Sequence, residues 1–171
     1  MQTKIIALNR YQILSLAKFG TLLGVAIIAP LLHQQLITGT IVNAVLFAST
    51  IFLGWPAAVT IGVLPSLFAL AFGTLPQPLA LMIPFIVASN AILVISFYFL
   101  KSKGFWLAVL AAAFLKFLFL LAASQLIIKI ALNGPIAKSI AQMMSLPQLI
   151  TALLGGVLVY CALRLSKRPI A

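Results

Sequence analysis

The sequence predicts an all-α integral membrane bundle of six transmembrane helices with both termini in the cytoplasm. Three observations predict it. Of the 171 residues, 64% are hydrophobic and 6% are charged. The charged residues are eleven Lys and Arg, with no Asp or Glu. The apolar residues gather into six runs, each near the roughly 20 residues that cross a bilayer core. Unbalanced cations cannot pair with one another, so the few charges mark where the chain meets water.

The first run covers residues 11–32. Lys4 and Arg10 precede it, as in a signal peptide. However, the apolar stretch is longer than an h-region of about 7–15 residues, and no clean small-x-small cleavage site follows. It is read as a retained first helix. The second and third runs, 37–53 and 56–72, are separated by Gly54-Trp55. Gly54 stops one helix, and Pro56 starts the next in a first turn, where its missing N–H costs nothing. The fourth, fifth and sixth runs cover 79–100, 105–128 and 146–165. The other breaks are His33-Gln34-Gln35, the stretch from Gly73 to Pro78, and Lys101-Ser102-Lys103-Gly104. The longest connection, 129–145, holds Asn133-Gly134-Pro135 and Lys138. Its middle, 136–144, is compatible with a short amphipathic helix at the interface. The whole of 1–171 is read as one membrane domain.

Six spans place both termini on one side. That side carries Lys4, Arg10, Lys101, Lys103, Arg164, Lys167 and Arg168, against Lys129 and Lys138 on the other. The excess marks the cytoplasmic face of a cell membrane. Trp55 and Trp106 then lie near the inner interface, where belt aromatics belong. Anionic lipid headgroups of the bilayer suit these dispersed cations. No basic stripe points to nucleic acid.

Several functions are excluded by inventory. Without carboxylates there is no Asp/Glu acid–base catalysis, no carboxylate proton relay and no acidic metal cage. No Walker motif, metal-ligand cluster or Ser/His/Asp set occurs. The chain is therefore read as a non-enzyme that uses no metal or cofactor and hydrolyses no ATP. Its single cysteine, Cys161, cannot form an internal disulfide.

The polar residues within the apolar runs carry the functional reading. Lys116 sits in the middle of the fifth run, too deep to snorkel, and an ionisable group at that depth marks a functional site by default. Its partner must be a carbonyl, a side-chain oxygen, water, a ligand anion or another protein. The alternative is a neutral or water-solvated lysine facing a helix junction. Ala112 and Ala123 share roughly its face. Lys18 is close enough to the inner end of the first helix to snorkel. Asn43 and Asn90 must point into the bundle, either hydrogen-bonding between helices or contacting a ligand. Gln125, near the outer end of the fifth run, is a ligand candidate, although it lies nearly opposite Lys116. His33 is read as a solvated or capping residue, with ligand binding from the outer loop as the alternative; a lone His is a weak metal signal. Pro65 and Pro84 lie inside the third and fourth runs, where proline kinks a helix. Ala17, Gly20 and Gly24 form a small-residue face that allows close helix approach, within the bundle or against a partner.

Within residues 33–97, ITGTIVNAVLFASTIFLGWPAAVTIGVLPSLFALAFGTLP is followed by IPFIVASNAILVISF. This stretch resembles the substrate-binding (S) components of energy-coupling factor transporters, in Thr38-Gly39, Val42-Asn43, Gly54, Pro65, Gly73, Pro76, Pro84-Phe85 and Asn90. The resemblance implies a vitamin or other small-molecule micronutrient bound in an outward-facing cavity. It also implies docking on a membrane coupling subunit driven by two cytosolic ATPases. Substrate-binding candidates are then His33, Gln34, Gln35, Asn90, Lys116 and Gln125. Ala17, Gly20 and Gly24 are the docking candidates, although the family's Ala-x-x-x-Ala form is absent. Two other readings stand beside it: a stand-alone channel or small transporter, and a membrane assembly or scaffold protein.

Overall fold

A computed structural model describes residues 9–74, 77–131 and 135–166, with no strand among them. Lys4, Lys167 and Arg168 of the set expected to face the cytoplasm, together with Pro76, lie outside the described residues. The helices are α1 (Arg10–Ile28), α2 (Gln35–Phe52), α3 (Trp55–Ala71), α4 (Ile83–Leu100), α5 (Phe105–Ala131), α6 (Pro135–Met143) and α7 (Leu146–Leu165). Short 3-10 turns at Ala29–Leu32, Gln77–Met82 and Lys101–Lys103 join them.

Five helical stretches are long and apolar enough to cross a membrane: Arg10–Leu32, Gln35–Phe52, Ala80–Lys103, Phe105–Lys129 and Ala137–Leu165. The remaining predicted span, the third run, is α3; it has 17 residues, so it is about 26 Å long at about 1.5 Å per residue. It packs on α1, α2 and α4. The α2–α3 corner uses Gly54 at φ 87°, a left-handed conformation suited to glycine, and Pro56 falls in the first turn of α3. The fourth span starts later than its apolar run suggests. The 3-10 turn takes Gln77–Met82, which moves Pro84 from a helix interior to the first turn of α4, where it causes no kink. Pro65 remains inside α3.

The centre of the bundle is α2, which touches α1, α3, α4 and α7, most extensively α7. That contact depends on small residues. A Cβ at Gly155 would fall 2.8 Å from both the Asn43 Cβ and the Ala44 nitrogen, and on the neighbouring face of α7 one at Gly156 would run into the Val109 side chain of α5. One half of the bundle is filled by a continuous apolar cluster. Phe47 meets Phe97 edge-on at 4.8 Å, and Phe97 meets Phe105 at 5.8 Å, with Leu46, Val94, Val109 and Leu163 around them. At the same end Trp106 packs on Tyr160 at 4.9 Å, Arg164 bonds the Tyr160 hydroxyl, and Lys101 lies over Tyr98. Cations and aromatics therefore share one rim of the bundle.

The outer surface is apolar along the helices: Leu14, Leu16, Val25, Phe99, Leu110, Phe114 and Leu158 are exposed. Lipid tails suit such a surface and water does not. The glycine face of α1 is open, because a Cβ at Gly20 or Gly24 meets nothing within 4 Å.

Replacing Gly155 with Ala is expected to destabilise the protein by about 1–3 kcal/mol through overpacking. Replacing Gly24 with Ala is expected to be neutral or stabilising by up to about 1 kcal/mol. Denaturant titration in detergent micelles, followed by helical circular dichroism, distinguishes the two.

Candidate functional site

Opposite the cation–aromatic rim, the bundle holds a cavity of about 330 Å³. This lies at the lower end of the usual range for small-molecule sites. Small residues make the room. Gly39 of α2, Ser66 and Ala69 of α3, and Gly73 just beyond α3 all line it and cannot fill it. Pro65 also lines the wall, whereas Pro84 does not. Near the mouth, Pro30 and the loop His33-Gln34-Gln35 border one side. His33 closes the first turn in a left-handed conformation, φ 53°. The Gln35 Nε2 donates to the Met143 carbonyl at the end of α6, 2.8 Å away, and Gln148 Nε2 donates to the same carbonyl at 3.2 Å. Ile140 and Met144 are buried against Met82 and Leu120, which holds α6 and its following turn against the 3-10 turn before α4 and against α5.

Lys116 lines the cavity from the middle of α5 and is 3% exposed. Its Nζ donates to Asn43 Oδ1 at 2.7 Å and to Asn90 Oδ1 at 2.8 Å. The two amides come from α2 and α4 and are equally buried. Each is fixed in orientation by its other end. Asn43 Nδ2 donates to Thr151 Oγ1 at 3.3 Å, and the Thr151 hydroxyl donates to the Gln148 carbonyl at 3.1 Å. Asn90 Nδ2 donates to the Gly62 carbonyl at 2.9 Å. The result is a hydrogen-bond network across α7, α2, α5, α4 and α3, with two donor arms that diverge from Lys116 and each end on a backbone carbonyl. Gly62 allows this closeness, since a Cβ there would stand 3.2 Å from that of Asn90.

The structure brings His33, Gln34, Gln35, Asn90 and Lys116 around this cavity. Gln125 is not among its lining residues; it is exposed on α5. The reason is helical geometry: nine residues at about 100° each carry it half a turn away from Lys116. Ala112 and Ala123, on the Lys116 side of α5, are buried in packing and leave no groove there. Ala17, Gly20 and Gly24 are remote from the cavity. Lys18 is exposed. Asn43, read from sequence equally as a packing amide, is a partner of Lys116. Thr38, Gln148 and Thr151 also line the cavity, and sequence reasoning missed them. A usable signal existed for two of the partners. Gly39 and Asn43 lie one turn apart on α2, as do Thr151 and Gly155 on α7, so each pair shares a face.

Among the described residues, no group of three or more His, Cys, Asp or Glu assembles as a metal site. Cys161 is exposed and away from the cavity. What the arrangement offers is recognition: a fixed donor at the floor, amides and hydroxyls around it, and an apolar remainder.

No family model matches the chain, and no curated protein or solved structure matches it either. Fold and surface define a multi-pass membrane protein with a polar-floored cavity set into an apolar helical bundle.

A double-mutant cycle on Lys116→Met and Asn43→Leu is expected to give a coupling energy of about 1–2 kcal/mol, high for a polar pair in a membrane. Strict additivity in detergent unfolding would show that the two side chains do not interact.

Proposed function

We propose that this chain is the solute-binding subunit of an uptake transporter of the energy-coupling factor type, carrying a vitamin or other micronutrient. The observation that carries the reading is the cavity itself. It is large enough for a small molecule, opens at one end, and is floored by Lys116, Asn43 and Asn90. Beyond the floor lies the packed cluster around Phe47, Phe97 and Val109. A bundle blocked on one side holds a solute rather than conducting it. This favours a binding subunit that needs partners over a stand-alone channel. A scaffold has no need of the open cavity that Lys116 borders.

In this reading α3 is the sixth crossing, and the Lys101–Arg164 rim faces the cytoplasm of a cell membrane. The cavity then opens outward. The chain itself neither hydrolyses ATP nor performs chemistry; a membrane coupling subunit and two cytosolic ATPases drive release. The open glycine face of α1, with Ala17 exposed beside it, is the docking surface for the coupling subunit. Small residues let a partner helix approach closely there.

Co-expression with the coupling subunit and ATPases from the same genome tests the reading. The wild-type chain is expected to co-purify with them and support ATP-dependent solute accumulation. Gly20→Leu with Gly24→Leu is expected to remove co-purification while leaving solute binding intact, since neither site touches the bundle core. Docking unchanged in the double variant would contradict the assigned face, and failure of the wild-type chain to dock would contradict the subunit reading.

A further inference from the structure

Charge is unevenly distributed around the cavity. The titratable side chains on its wall are Lys116 and His33, and the sequence contains no carboxylate to balance either. An ammonium has three donors. Two are committed to the amide oxygens of Asn43 and Asn90. Neither amide can turn its nitrogen toward Lys116 without losing Thr151 or Gly62. The third donor has no protein acceptor among the described residues, and Lys116 borders open volume.

Amide dipoles solvate a cation but do not neutralise it. A buried charge left without a counter-charge is costly, and the cost is greater in a membrane. No residue of this chain can provide the missing negative charge. An anionic group entering the cavity would supply it, beside the free volume that Lys116 borders.

We propose that the cavity floor takes the single carboxylate of a small organic acid, with Lys116 as its direct contact and Asn43 and Asn90 as positioning residues. This rests on the solute-binding reading above. Three features favour a carboxylate over a phosphate. The floor has one cation. It has no arginine fork, the usual bidentate partner of phosphate. The cavity is also lined by Val42, Pro65, Ala69 and Ile86, which suit an apolar body behind a single charged group. Thr38, Gln148 and His33 also line the cavity.

The experiment uses the full chain in detergent and a panel of monocarboxylates from acetate to benzoate and nicotinate. Each is paired with its primary amide, which matches its shape but not its charge. Binding is read by calorimetry and by shift of the unfolding midpoint. At least one acid is expected to bind about 10-fold or more tighter than its amide, a difference of about 1.4 kcal/mol. Lys116→Gln is expected to erase that preference and Lys116→Arg to retain part of it, both with wild-type helical content. The proposal is overturned if amides bind as well as acids, if the preference survives in Lys116→Gln, or if no acid binds the wild-type chain. A neutral solute retained from the cell would end the carboxylate proposal and leave the solute-binding reading standing. Acid preference in a chain that never docks or transports would do the reverse.

Discussion

A lysine buried in an apolar bundle, in a chain with no acid, is the constraint on which the polar interior is organised. Lys116 cannot be left among hydrocarbon side chains without partners. Its hydrogen bonds draw one asparagine from α2 and one from α4, and those in turn require Thr151 and the Gly62 carbonyl. Five helices are therefore tied at one level. The helices must come close for this to happen, and Gly62 and Gly155 permit it. Specificity of packing and chemistry of the site have the same origin.

The cavity above this level follows from the lengths of the elements. α3 has 17 residues where α5 has 27, and its final turns carry Ser66 and Ala69 rather than bulky side chains. The space that a longer helix would fill is instead bordered by the turns after α1 and α3 and by the turn between α6 and α7. Two glutamines, Gln35 and Gln148, converge on the Met143 carbonyl and fix the end of α6 beside the mouth. At the opposite end, Phe47, Phe97 and Phe105 pack edge to face between the helices. One bundle thus has a closed half and a receptive half.

Much of this was legible in the sequence, because the bilayer imposes a length and a hydropathy that leave plain traces. The helices lie close to the six apolar runs, and the Gly54-Trp55-Pro56 corner reads directly from its turn chemistry. Lys116 and Asn90 stood out because polar groups in such runs demand an explanation. The pairing did not stand out. Asn43 looked like any interhelical amide, and nothing local says that α2, α4 and α5 meet at one level. Thr151 and Gln148 sit in the first turns of α7, where such residues are ordinary. Pro84 was misplaced because an apolar run does not show where a 3-10 turn gives way to an α-helix. Gln125 was included for its depth in the run, and the helical period removes it. The small face of α1 could pack inward or outward by sequence alone; open space at Gly20 and Gly24 shows that it faces away from this bundle.

Native mass spectrometry of the detergent-purified protein, beside its Lys116→Met variant, tests the account most directly. The account predicts one small molecule bound per wild-type chain and the bare mass for the variant, with both proteins folded. A bare wild-type chain, or the same adduct on both proteins, would contradict the assignment of Lys116 as the floor of a solute site.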